Sequence, residues 1–289
     1  MKKDFIILIF SLSVFQIALL GQRDSIEIPY DTLKPSFITP VYKITAFNFL
    51  LNRIDLHIRQ KEWANVSPSS WWVNIRRGFI TDGDPFTNNW FGHPLHGAWF
   101  YNASRSSGLN FWQSLPYVFG GNLMWEYFGE TEPPSIIDLY TTTFGGIYMG
   151  EMLYRFSDYL YNYPFRKNRK IHRIAAGIVN PYFGLNSLIF GTKIPATSKS
   201  EIPISGHLFM GSNHPFNLWI PEMKGTSAII ELQLEYGSLL DRNISSFSPF
   251  DYFTLRSWID IPSWEESRAA YFNLSSHAII YGKKTDKQT

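Results

Sequence analysis

Cysteine is absent from the 289 residues. A disulfide framework, a thiolate metal centre and a cysteine nucleophile are excluded together. An excess of one charge is missing as well: 26 Lys and Arg stand against 24 Asp and Glu, a formal net charge of +2. That near-balance argues against a dedicated nucleic-acid binder, whose contact face carries a strong basic surplus. Charged residues are 17% of the chain and apolar ones 45%, which excludes a disordered polymer. Nucleotide and calcium motifs are also lacking: there is no GxGxxG run, no Walker loop and no EF-hand loop. Beyond the first residues, no segment reaches the roughly 18 uninterrupted apolar residues of a spanning helix, so a helical multi-span protein is not expected.

Aromatic residues are plentiful, with 24 Phe, 16 Tyr and 10 Trp. Such richness suits rings at a membrane boundary or in a wide core. Residues 1–21 read as an export signal: Lys2 and Lys3 precede an apolar stretch over 5–20, and Gly21 offers a small residue for cleavage. The alternative is a membrane anchor, but Ser11, Ser13 and Gln16 interrupt the stretch. A polar, proline-punctuated leader follows over 22–40.

Helical spacing dominates the next part, a helical domain expected over 41–190. A first helix is expected over 41–58, with polar chain over 59–70. The run DGDPFTNN over 82–89 reads as a turn cluster, and Pro94 suits the first turn of a helix reaching about residue 107. Asn110 can cap the next helix, to about 127. Ser135 can cap a third, to about 161, with Asp138 three residues on as a capping-box variant. The basic stretch 166–173 reads either as a solvated helix start or as an attachment to anionic headgroups.

From about residue 200 the period falls to two. Strands are expected at 204–210, 227–236, 253–261 and 272–280 within an antiparallel β region over 200–282, before a polar tail over 283–289. Their length suits tilted strands in an outer membrane, although a soluble sheet with one wet face gives the same alternation. Four strands cannot close a barrel. The expectation is therefore an α+β chain, a helical domain followed by antiparallel strands resembling part of an incomplete outer-membrane β-barrel. Truncation, pairing with another copy and a soluble sheet are the available explanations, truncation being preferred.

Polar residues recur at helical spacing in the second and third helices. His93, Gly97, Tyr101 and Arg105 form one stripe; Asp138, Thr142, Gly146 and Gly150 form another, with a small-residue packing groove at Thr142, Gly146 and Gly150. Arg105, Glu126, Asp138, Glu151 and Arg155 are expected to make a structural polar network, with Arg105 paired to Glu126 or Asp138 and Glu151 to Arg155. Catalysis, if present, centres on His93, Glu126 and Asp138, with His93 as general base or with Ser135 as a nucleophile beside His93 and Asp138. No metal is expected, His93 and His96 being the weak candidates, and no cofactor is implied. The spacing HPLH is not HExxH, and no GxSxG elbow is present.

The segments NNWFGHPLHGAWFYNASRSSG and GGNLMWEYFGETEPPSIIDLYTTTFGGIYMGE resemble an uncharacterised bacterial family, one of the numbered domains of unknown function. The resemblance covers about a third of the chain. It implies an exported protein of a Gram-negative envelope, in the outer membrane or periplasm, with outer-membrane lipid as partner. It brings neither activity nor cofactor. The function expected is accordingly structural or transport-related, with a lipid- or cell-wall-modifying hydrolase as the rival.

Overall fold

The computed structural model describes residues 12–18, 35–162, 169–182, 184–185, 203–213, 227–238, 246–262 and 271–283. The chain divides into two compact units, residues 25–200 and residues 1–24 with 201–289. The first is helical and the second is a sheet, an α+β architecture.

In the helical unit, α1 (Thr39–His57) opens with proline in its first turn. Its buried residues are Pro40, Ile44, Asn48, Asn52 and Asp55, a stripe at helical spacing that is polar in its second half. Asn48 Nδ2 donates to the Gly121 carbonyl at 3.1 Å and Asn52 Nδ2 to that of Gly129 at 2.8 Å, so these amides fasten neighbouring backbone. Helix α2 (Pro68–Arg77) falls partly where polar chain was expected; Ser67 and Ser70 build a capping box that the serine run conceals.

Helix α3 (His93–Arg105) is the centre of the unit, with nine buried residues. It is entered through a π-helical turn, Asn88–Gly92, which begins in the last two residues of the segment 82–89 expected to be a turn. Helix α4 (Phe111–Phe128) starts from an Asn110–Gln113 capping box. The third expected helix runs as α5 (Ile136–Tyr140), a π-helical turn over Thr141–Gly145, and α6 (Gly146–Asn162). A π-helical turn needs a fifth residue between hydrogen-bonded groups, which hydrophobic periodicity alone does not reveal. Helix α7 (Arg169–Val179) carries Arg169, Lys170 and Arg173; Arg166 and Lys167 lie outside the described residues. None of the described helices is long and apolar enough to cross a membrane.

Helices α3 and α6 meet at glycine. A Cβ on Gly97 would run into the Thr142 carbonyl, and one on Gly146 into the Gly97 backbone. A Cβ on Gly150 would lie 2.7 Å from that of Tyr101. The helices therefore cross backbone to backbone.

The second unit holds β1 (Leu12–Ala18), β2 (Ile204–Asn213), β3 (Ser227–Tyr236), β4 (Ser246–Phe247), β5 (Phe253–Pro262), β6 (Tyr271–Ala278) and β7 (Gly282–Lys283). Strands β1-β2-β3-β5-β6 form one antiparallel sheet in that order; β4 and β7 pair separately. Strand β1 lies within the stretch expected as the apolar part of an export signal, and it adds a fifth strand to the four anticipated. The sheet is open rather than a closed barrel, since β1 and β6 are edges among the described residues.

The register sorts side chains by polarity. Leu208 lies opposite Leu232 and Met210 opposite Ile230; Ile230 in turn faces Ile259, and Ala228 faces Ile261. Every large member of that row is exposed. Alternate positions carry His207, Glu231, Gln233 and Arg256, and Arg256 Nη2 donates to Glu231 Oε2 at 3.0 Å. Among the described residues one end of the sheet has a core: Tyr236 and Phe253 stack at 4.8 Å beside Phe250, all buried.

Candidate functional site

Two buried polar centres lie on α3. The lower one is an ion-pair triad. Glu151, wholly buried on α6, receives Arg105 Nε at 2.9 Å, Arg155 Nε at 2.8 Å and the Tyr101 hydroxyl at 2.6 Å. Arg105 Nη1 donates onward to the Leu109 carbonyl at 2.8 Å. Burial pushes Glu151 up, but Arg105, Arg155 and the hydrogen bonds from Tyr101 and Arg155 outweigh it and hold the carboxyl below its ordinary range. The expected pairing of Arg105 with Glu126 or Asp138 is thus replaced by one with Glu151. Arg105 and Glu151 come from different helices, and sequence spacing does not reveal which acid a neighbouring helix presents. The Glu151 carboxylate is engaged by three donor groups, an arrangement that suits a packing device.

The upper centre gathers acids around His93, the first residue of α3. His93 Nε2 stands 3.3 Å from Asp84 Oδ2 and 3.1 Å from Asp138 Oδ1. One ligand-type atom from each of Asp84, His93 and Asp138 lies within 4.8 Å of the other two, so these three could hold a metal ion. Burial, then the charges of Glu126, Asp82 and Asp84 and a hydrogen bond with Asp82, push Asp138 up to about 8. Burial raises Glu126 to about 7 against the opposing Ser135 N–H, with Asp82 and Asp84 adding to the rise. Burial and the neighbouring Glu126, Glu132, Asp138 and Asp84 hold Glu130 well above its ordinary range. Acids in apolar surroundings that also repel one another keep protons near neutrality.

Local chemistry at the start of α5 explains why Asp138 is free to join. The Ser135 side chain accepts from the Asp138 amide at 3.2 Å, as expected of a cap. The reciprocal bond of a capping box is absent: the Ser135 amide donates instead to Glu126 Oε2 at 2.8 Å. Glu126 on α4 takes the role that spacing assigns to Asp138, and the Asp138 carboxylate turns to His93. Ser135 is accordingly a cap, and His93 contacts Asp138 and Asp84 rather than the serine hydroxyl.

His96 is not part of the group. Its Nε2 is 3.2 Å from Asn48 Oδ1, and its ring packs against Phe47, Phe100 and Trp125. Burial first, and His93 second, lower it to about 3, so it stays neutral. Of the two weak metal candidates only His93 faces carboxylates. The i,i+3 spacing puts His96 on the α1 side of the helix. Asp82 and Asp84 were legible only as turn formers, since a DGDP run commonly marks a turn; their convergence on His93 needs the fold.

Residues 78–182 match the family model described as "Domain of unknown function (DUF3943)". The match covers about a third of the chain, and both polar centres fall within the matched residues. Comparison with curated proteins and with solved structures returned no match.

Proposed function

We propose that this chain is an exported envelope protein that works in contact with outer-membrane lipid, in a structural or transport-related role. One observation carries the reading: both units put apolar side chains outward. In the sheet unit the row Leu208, Met210, Ile230, Leu232, Ile259 and Ile261 is exposed, while the opposite face carries an ion pair. In α1 the buried stripe includes Asn48, Asn52 and Asp55, whereas Val41, Tyr42, Phe49 and Leu50 are exposed. Water disfavours such an arrangement and hydrocarbon favours it. The basic residues of α7 suit anionic headgroups. Membrane barrels begin at about eight strands, so the reading requires strands beyond those described. Cleavage after residue 21 would remove β1 and leave β2 as the edge.

The test is fractionation of cells expressing the full chain, with the mature N-terminus sequenced. Recovery in carbonate-resistant outer membrane, beginning near Gln22, is expected. Leu232→Lys should reduce that recovery and Gln233→Lys should not, because a lysine at mid-bilayer on the lipid face costs about 2–4 kcal/mol. Complete release by carbonate overturns the proposal.

A second reading, an envelope hydrolase acting on lipid or cell wall, is favoured by the contact of His93 with Asp138 beside the raised Glu126 carboxyl. Folded yield that survives His93→Ala and Glu126→Ala, together with an altered lipid profile, supports it. Loss of yield supports the structural reading.

A further inference from the structure

The upper acidic centre lacks the counter-charge that the lower one has. Among the described residues no Lys or Arg pairs with Asp82, Asp84, Glu126, Glu130 or Asp138; the only ion-pair partner of the group is His93. His93 Nε2 makes a hydrogen bond to Asp84, while its contact with Asp138 Oδ1 lacks hydrogen-bond alignment. The Asp138 side chain is 7% exposed, yet Oδ1 has no hydrogen-bond partner and stands 3.1 Å from the ring nitrogen. A buried carboxyl oxygen set against a ring nitrogen and a second carboxyl, and bonded to neither, is costly, and a cation shared by the three groups would satisfy it.

We propose that Asp84, His93 and Asp138 bind one divalent transition-metal cation of the zinc and manganese class. Ligands bound at about 2.0–2.2 Å to one ion stand roughly 3.0–3.5 Å apart at tetrahedral or adjacent octahedral angles. The observed separations from His93 Nε2, 3.1 and 3.3 Å, fall in that interval. The imidazole nitrogen selects against calcium and magnesium, which take oxygen ligands. The scaffold holds each donor from a different piece of chain. His93 follows directly on a π-helical turn, and Asp138 is released from capping by Glu126. Asp84, whose side chain is 31% exposed, keeps one side of the site open to water. Three protein ligands and an open position form the arrangement that admits a further small ligand.

The test is titration of the full-length purified protein, stripped with chelator, with Zn2+ by calorimetry and with Mn2+ by electron paramagnetic resonance. Saturable binding at one ion per chain is expected, with a rise in the unfolding temperature. Asp84→Asn and His93→Gln should each weaken binding by at least about tenfold. Asp84 is on a half-exposed turn, so its variant tests the ligand without disturbing the core; an unchanged circular dichroism spectrum confirms that. No saturable binding of either ion by the folded wild-type chain overturns the proposal, as does binding left unchanged by both substitutions, which assigns it to surface histidines. The outcome is independent of where the protein fractionates.

Discussion

The Ser135 amide donates to the Glu126 carboxylate at 2.8 Å, from the start of α5 to the body of α4. A helix start leaves amides unsatisfied, and a residue on the same helix ordinarily returns to bond the capping residue. Here a carboxylate from another helix does so. Glu126→Ala should lower stability by about 1–3 kcal/mol, because the Ser135 amide is left buried without an acceptor. Glu126→Gln, which retains an acceptor oxygen, should lose less. Denaturant unfolding of the two variants separates them; equal losses contradict the cap.

Glu151 is the hub of the lower centre, and its removal leaves two arginines uncompensated. Glu151→Gln should cost about 3–5 kcal/mol, the range for breaking a buried ion pair from one side. Thermal unfolding measures this, and a change below 1 kcal/mol, on the order of a surface pair, would contradict it.

The same carboxyl makes stability acid-sensitive. Its folded-state pKa lies below the ordinary value of 4.5, so its contribution is complete above that value. Stability then falls as pH drops below 4.5 and through the depressed folded value, since the unfolded chain takes up the proton first. Unfolding free energy followed from pH 7 downward should decline in that window in the wild type and less steeply in Glu151→Gln.

Gly97 and Gly146 set the distance between α3 and α6. Gly97→Ala places a methyl group against the Thr142 carbonyl, a backbone atom that cannot swing aside. A loss of about 1–3 kcal/mol or more is expected. Gly150→Ala meets the Tyr101 side chain instead and should cost less. Comparable unfolding midpoints for the two variants would show that the crossing tolerates expansion.

The helices and strands were legible where the signal is local. Asn110 and Ser135 act as caps, and alternation marked the sheet strands β2, β3, β5 and β6. Legibility failed where the determinant is not local. The two π-helical turns have no periodic signature. Arg105 found Glu151 and not Glu126, because which acid meets which cation follows from the α3–α6 crossing. Asp82 and Asp84 looked like turn formers, and nothing in their spacing pointed to His93, nine residues beyond Asp84.

The sequence by itself determined the absence of thiol chemistry, the change of period near residue 200 and the polar stripes on the helices, since each is a property of composition or of neighbours along the chain. Only the tertiary structure decided which polar groups are satisfied. Glu151 is surrounded by donors and Asp138 is left with an unpartnered oxygen, although both are buried acids on consecutive helical segments. The difference arises because hydrogen-bond satisfaction depends on which helices cross and at what separation, and here two glycines and one borrowed cap set both.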